Sequence, residues 1–223
     1  MNESTFSRLE DNRMTIHGQS LIALAQEQDF VTNAYFIITG KRITPAIHEI
    51  LNLLLSLCLD HGPDTISAQA LRQAARDGQR LEHCLAAGLQ AMGPAHGGAT
   101  EDAARWLQHQ LKKNVSAHDA VATALRDGVR LAGFGHRIVT EDERAVILFD
   151  ALNRHGLPID HFRYMQAVEK ELAEQKGKPL PLNIDGAIAA TALDVGIPAE
   201  AATGLFILGR VPGLIAHTLE AKQ

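Results

Sequence analysis

Three short glycine-flanked segments each centre on a side chain able to move a proton or steady a developing charge. They are Gly93-Pro94-Ala95-His96-Gly97-Gly98, Gly133-Phe134-Gly135-His136-Arg137 and Asn183-Ile184-Asp185-Gly186. Two histidines and one aspartate make an acid–base set for carbon–carbon bond chemistry beside a carbonyl. There a proton leaves or joins an oxygen or carbon while an enolate-like oxygen is stabilised.

The surroundings of each residue sharpen its role. Glycines around His96 let the backbone turn tightly and approach a ligand closely. The stretch from Ala99 to Leu107 has helical spacing, which places His96 at a helix N-terminus. A positive dipole end disfavours imidazolium, so a neutral His96 could donate a hydrogen bond to an enolate-like oxygen. Its plainer role is a turn histidine that caps the loop. His136 lies in a Gly-x-Gly-His-Arg loop before a helix start expected at Thr140 and Glu143, with Arg137 and Arg144 on either side of that start. Arginine's rigid fork of donors suits carboxylates, so Arg144 would fit a polycarboxylate substrate. Taken singly, each arginine also reads as a solvated surface charge. Asp185 is either a helix cap or a general base whose pKa burial could raise. Arg210, in Leu208-Gly209-Arg210-Val211-Pro212-Gly213, is a second carboxylate clamp or a surface charge at a helix break. His61 stands at the mouth of an apolar helix, within reach of a substrate, whereas His217 fits a core or interface equally well.

Other chemistries find no support in the residue spacing. There is no His-x3-His, His-Glu-x-x-His or cysteine pair at metal-ligand spacing, so no metal site is expected. No G-x-x-x-x-G-K-S/T or G-x-G-x-x-G loop is present. A formal charge of -5 without a Lys/Arg run argues against nucleic acid as a partner. Cys58 and Cys84 sit in apolar helical stretches and read as buried free thiols. The segment Met1 to Arg13 lacks the apolar centre of a signal peptide. The most apolar run, Ile50 to Leu59, is far short of the ~20 residues needed to span a bilayer. A soluble, cytoplasmic protein with no membrane partner is expected.

The elements that must hold these residues are helical. Ala and Leu dominate the apolar set, and both lose little freedom on entering a helix. Thr44-Pro45 starts a helix whose apolar residues reach Cys58, expected to be buried on most sides and to stop at Asp60-His61-Gly62-Pro63. Ser116, Thr140 and Asp160 mark further starts, and Gly156, Gly177 and Gly196 mark stops. Val31 to Thr39 fits a strand or a helix. Pro198 to Leu208 and Gly213 to Ala221 read as two separate apolar helices. The fold class expected is all-α with little or no sheet.

Taken in order, these segments resemble the citrate synthase superfamily. Gly93 to Asp102 is similar to its first catalytic-histidine motif, Gly133 to Arg137 to its second, and Asn183-Ile184-Asp185 to its aspartate motif. Glu143-Arg144-Ala145 stands in place of Asp-Pro-Arg-Ala, Gly209-Arg210 to His217 matches the carboxyl-terminal arginine segment, and Asp60-His61-Gly62 the substrate-histidine segment. Asp185-Gly186, Leu59 to Pro63, Ala167-Val168-Glu169-Lys170 and Ile207 to Arg210 resemble citryl-CoA lyase and the carboxyl-terminal part of ATP-citrate lyase. The chain is shorter than a typical synthase and stops before the tail arginine that synthases send into the partner's site, which the resemblance takes as pointing away from hydrolytic synthesis.

The resemblance implies an all-helical homodimer with a large domain (residues 1–98 plus 185–223) and a small one (99–184). It implies His96, His136 and Asp185 as catalytic, and His61, Arg144 and Arg210 as holding substrate carboxylates. Gly133, Phe134, Gly135, Arg137, Lys176 and Lys178 are the candidates for coenzyme A, the two lysines being equally readable as solvated surface charges. The leading expectation is cleavage of (S)-citryl-CoA to acetyl-CoA and oxaloacetate, with a coenzyme A thioester as substrate. Condensation by a citrate or 2-methylcitrate synthase is the first alternative, and a catalytically silent acyl-CoA-binding module the second.

Overall fold

The computed structural model describes residues 6–93, 98–135 and 141–223. The chain divides into two compact units, Met1–Asn52 and Leu53–Gln223.

The first unit opens with a small antiparallel sheet of β1 (Ser7–Glu10), β2 (Arg13–Ile16) and β3 (Gln19–Ser20), in that order. Both connections are two residues long and lie at positive φ, at Asp11-Asn12 (47° and 60°) and His17-Gly18 (47° and 77°). Such turns match the twist of a hairpin. Strands of four residues or fewer carry no sustained alternation, which is why periodicity misses them. Ser20 caps α1 (Leu21–Glu27) and Asp29 caps α2 (Phe30–Thr39), each side chain accepting from an amide three residues on. Val31 to Thr39 is therefore helical. Ile16, Leu24 and Phe36 form this unit's core.

α3 (Pro45–Leu57) starts as expected, with Thr44 Oγ1 accepting from the Ile47 amide at 3.3 Å. It is amphipathic rather than buried on most sides: Ile50, Leu51, Leu54 and Cys58 are covered, whereas Glu49, Asn52 and Ser56 are exposed.

In the second unit, α4 (Ile66–Arg76) and α5 (Leu81–Gln90) pair closely, and Leu71, Ala75 and Cys84 meet Leu214 between them. α6 (Ala99–Lys112) and α7 (Ala117–Arg126) follow, the latter capped by Ser116 as expected. α8 (Glu143–Arg154) is capped by Asp142. Thr140, the cap read from the sequence, lies outside the described residues. α9 (Asp160–Lys176) holds Asp160 inside its first turn, and its free amides at His161 and Phe162 donate to the distant Asp194 carboxylate at 3.0 and 3.1 Å. The helix buried all round is α10 (Ile184–Asp194), where Ile184 and Gly186 to Ala192 are covered. It packs against α6, α8, α9 and the last helix.

That last helix corrects the sequence reading. After a 3-10 turn at Ala199–Ala201, α11 runs unbroken from Ala202 to Ala221, with Pro212 inside it. Gly209, Pro212 and Gly213 look like a stop because a proline lacks the amide and glycine resists helix. Here the two glycines face other backbone: a methyl group on Gly209 would sit 2.7 Å from the Leu55 carbonyl, and one on Gly213 would strike the Leu59 carbonyl. Tight packing against residues 55–60 outweighs local propensity. By length and composition Ala199–Ala221 could cross a membrane. Its buried Arg210 and its packing against α4, α5, α6 and α10 mark it as a core helix.

Candidate active site

The flanks of all three glycine signatures meet at the start of α10. The loop before His136 is sewn to the segment before Asp185: the Gly135 amide donates to the Pro181 carbonyl (2.7 Å) and the Asn183 amide to the Gly133 carbonyl (3.0 Å). Asn183 Nδ2 adds a bond to the Gly135 carbonyl at 3.0 Å, and Phe134 and Leu182 form an isolated bridge. Gly133 (φ +86°) can adopt this path because it has no Cβ. A methyl group there would come within 2.7 Å of the Gly186 Cα. One on Gly186 would sit 2.6 Å from the Gly133 carbonyl oxygen. The two glycines are each other's reason.

Asn183 is the helix cap, its side-chain oxygen accepting from the Gly186 amide at 3.2 Å. Asp185, in the first turn, is thereby released from the capping role the sequence left open. Its Oδ1 accepts from Thr100 Oγ1 at 3.0 Å. Thr100 is fully buried near the start of α6, three residues from Gly97, so this bond joins the first histidine motif to the aspartate motif. Thr100 lies within the Gly93 to Asp102 segment, and its residue type alone assigns it no role. Its position one turn after a catalytic-type histidine was the available signal.

Arg144 and Arg210 converge on the same place. Arg144 is held by Asp142 through Nε (2.9 Å) and Nη2 (2.8 Å), and its Nη1 lies 3.5 Å from His61 Nδ1. Burial alone would raise the pKa of Asp142, but the hydrogen bonds and charge of Arg144, with the Arg144 and Ile184 amides, hold it below the usual carboxylate value. Arg210 is 1% exposed, so it is no surface charge. Its Nη1 donates to Asp60 Oδ1 at 3.3 Å and its guanidinium stacks over Phe206, 5.3 Å from the ring centre. Burial lowers its pKa, Asp60 and Asp185 oppose that shift, and the like charge of Arg144 adds to it. Among the described residues its buried Nε has no partner. Asp60 also accepts from His217 Nε2 at 3.0 Å, which assigns His217 to the support of this cluster.

Arg144 reaches His61 and Arg210 reaches the adjacent Asp60, which brings the two guanidiniums to the same short segment. Two guanidiniums, one of them buried, supply the type of donors that suit carboxylate groups. His96, His136 and Arg137 lie outside the described residues. Lys176 ends α9 and Lys178 follows Gly177; both are exposed, and neither bonds to a member of the cluster among the described residues. His48, His118 and His161 pair with Asp29, Glu171 and Asp194.

Cys58 and Cys84 are both free and fully buried, as expected. Burial pushes the Cys58 thiol up to about 12, against the pull of Arg210 and Arg144. Since the thiolate is the reactive form, Cys58 is not expected to react with a disulfide reagent at pH 8 in the native protein; Cys84 is equally out of a reagent's reach by burial, and both should react in guanidinium. A fast native-state thiol assigned to Cys58 would show that the end of α3 opens, and one assigned to Cys84 that α5 does.

The chain belongs to the citrate synthase family: the model of the citrate synthase carboxyl-terminal domain matches residues 8–223. It is similar in structure to citryl-CoA lyase from Hydrogenobacter thermophilus, with 35% identity and a TM-score of 0.93 over 99% of this chain and 87% of that one. Methanosaeta concilii ATP citrate lyase, solved with (3S)-citryl-CoA, matches at 26% identity and a TM-score of 0.88, over 99% of this chain and 38% of its own. In sequence the chain is 33% identical over 192 residues to ATP-citrate synthase beta chain protein 2 of Arabidopsis thaliana, covering 78% of this chain and 31% of that protein. The citrate synthase of Haloferax volcanii is 29% identical over 213 residues, 92% of this chain and 55% of its own. The chain spans about a third of the length of the plant ATP-citrate synthase chains it matches.

Proposed function

We propose that the protein cleaves (S)-citryl-CoA to acetyl-CoA and oxaloacetate. The observation that carries this reading is the pair of guanidiniums, Arg144 against His61 and Arg210 against Asp60, with Asp185 tied to Thr100 in the same unit. The likeness to citryl-CoA lyase and to the lyase solved with citryl-CoA supports the same substrate. Arg144, Arg210 and His61 would hold the carboxylates. His136 would take the proton of the citryl hydroxyl; the electrons of that O–H bond become the ketone of oxaloacetate as the carbon–carbon bond breaks. The bonding pair passes to the thioester carbon, giving an acetyl-CoA enolate whose oxygen accepts a hydrogen bond from His96. Protonated Asp185 then gives its proton to that carbon, completing acetyl-CoA. Each group is placed before the charge appears, which is where such sites gain most. Gly133 to Gly135, Arg137, Lys176 and Lys178 would meet coenzyme A, and closure of residues 99–184 would exclude water. The setting we infer is a cytoplasmic homodimer; two free buried thiols suit a reducing compartment.

Condensation uses the same groups in reverse, and the Haloferax volcanii synthase keeps that reading alive as an outcome of the test. In one arm citryl-CoA is supplied and oxaloacetate followed; in the other, acetyl-CoA and oxaloacetate are supplied and free thiol followed. Oxaloacetate release without thiol release is the expected result. Rapid thiol release in the second arm would establish a synthase, and coenzyme A binding without turnover in either would establish a silent acyl-CoA-binding module.

A further inference from the structure

We propose that Asp142 is a positioning residue whose single carboxylate sets the Arg144 guanidinium and the Asp185 segment in one register. The proposal rests on the roles given above to Arg144 and Asp185. Asp142 is 5% exposed and accepts from four donors. Oδ1 takes the Arg144 amide (3.2 Å) and Nε (2.9 Å), and Oδ2 takes Arg144 Nη2 (2.8 Å) and the Ile184 amide (2.9 Å). These nearly fill the lone-pair sites of a carboxylate.

An ordinary helix cap makes one such bond, to its own helix. Ser116 does this for α7, its side chain taking and giving bonds only at Asp119. Asp142 makes that bond for α8 and three more besides, one of them to another helix. The Ile184 amide it takes is one of the first-turn donors that α10 cannot satisfy internally. The next residue is Asp185. The grip on Nε and Nη2 turns Nη1, 3.5 Å from His61, into the part of the fork left for a substrate. A shift of this carboxylate would therefore move the carboxylate clamp and the proton-transfer group together, whereas a shift of Ser116 would disturb α7 alone.

Asp142→Ser separates the two explanations, because serine caps a helix as well as aspartate but cannot span a guanidinium. The variant is expected to keep its helical content while the Arg144 Nε–H, read by nitrogen-15 NMR without substrate, exchanges with water at least about 10-fold faster. Oxaloacetate affinity should fall about 10- to 100-fold. The same change in an Arg144→Met background should cost less than about threefold more, while in an Arg210→Met background the losses should multiply. Unchanged Nε exchange, or full additivity with Arg144→Met, overturns the proposal. Should Asp142→Ser not fold, Asp142→Glu keeps the charge and is read in the same three ways. The NMR measurement needs no turnover: an inactive wild type with Nε released in the variant defeats the lyase reading alone, and an active wild type with Nε unmoved defeats the positioning role alone.

Discussion

Asp185→Asn is expected to lower turnover of citryl-CoA about 10³-fold, the scale of losing one positioned acid–base group, while leaving the fold and oxaloacetate binding intact. The amide has the shape of the carboxylate and can still accept from Thr100 Oγ1, which donates at 3.0 Å in the native protein. The helix start should survive as well, because Asn183 and not Asp185 caps α10. What the amide cannot do is carry the proton to the acetyl carbon. The sharpest readout is therefore exchange of the acetyl-CoA methyl protons with deuterated solvent in the presence of oxaloacetate. Exchange should vanish in the variant at an unchanged melting temperature. Exchange at the wild-type rate would remove Asp185 from its role and shift the search to another acid.

Gly186→Ala tests the geometry rather than the chemistry. Within an isolated helix, alanine would be favoured over glycine by about 1 kcal/mol. In this fold the added methyl would lie 2.6 Å from both the Gly133 carbonyl oxygen and Leu182 Cδ1. Overpacking of that kind costs about 1–3 kcal/mol, so the collision outweighs the propensity gain and a lower melting temperature is expected. The larger effect falls on activity. Relief requires the 133–135 loop, and with it the chain leading to His136, to move away from Asp185. A displacement of about 1 Å between catalytic groups can cost about 10²-fold in rate, and kcat should fall by at least that much. A variant that is more stable and fully active would mean that the two loops are not held together at this point.

The legible parts of the chain were those written in local chemistry. Ser116 before Asp119, Thr44 before Pro45, and Gly177 after Lys176 mark helix ends that side chains or backbone geometry decide within one turn. The hairpin at Ser7 to Ser20 was not legible by periodicity, because its strands are shorter than the window such patterns need. Asp160 read as a cap, and in fact the amides it might have taken belong to Asp194, more than thirty residues away. Arg210 shows the same limit at the site. Between glycines and a proline it looked like a charge at a break, and it is among the most buried side chains of the protein.

The sequence by itself determined the helical class, the family to which the three glycine signatures belong, and the identity of Asp185, Arg144 and Arg210 as chemically able residues. Those follow from composition and short-range order, which any part of the chain carries with it. Only the tertiary structure decided that α11 runs through Pro212, that Asn183 caps so that Asp185 need not, and that Thr100, Asp60 and Asp142 hold the site together. Except for the Asn183 cap, which spans three residues, each of these depends on an approach between residues some forty or more apart in the chain. In such contacts close backbone packing and buried hydrogen bonds, worth more in the interior than at the surface, override what a single turn of helix would choose.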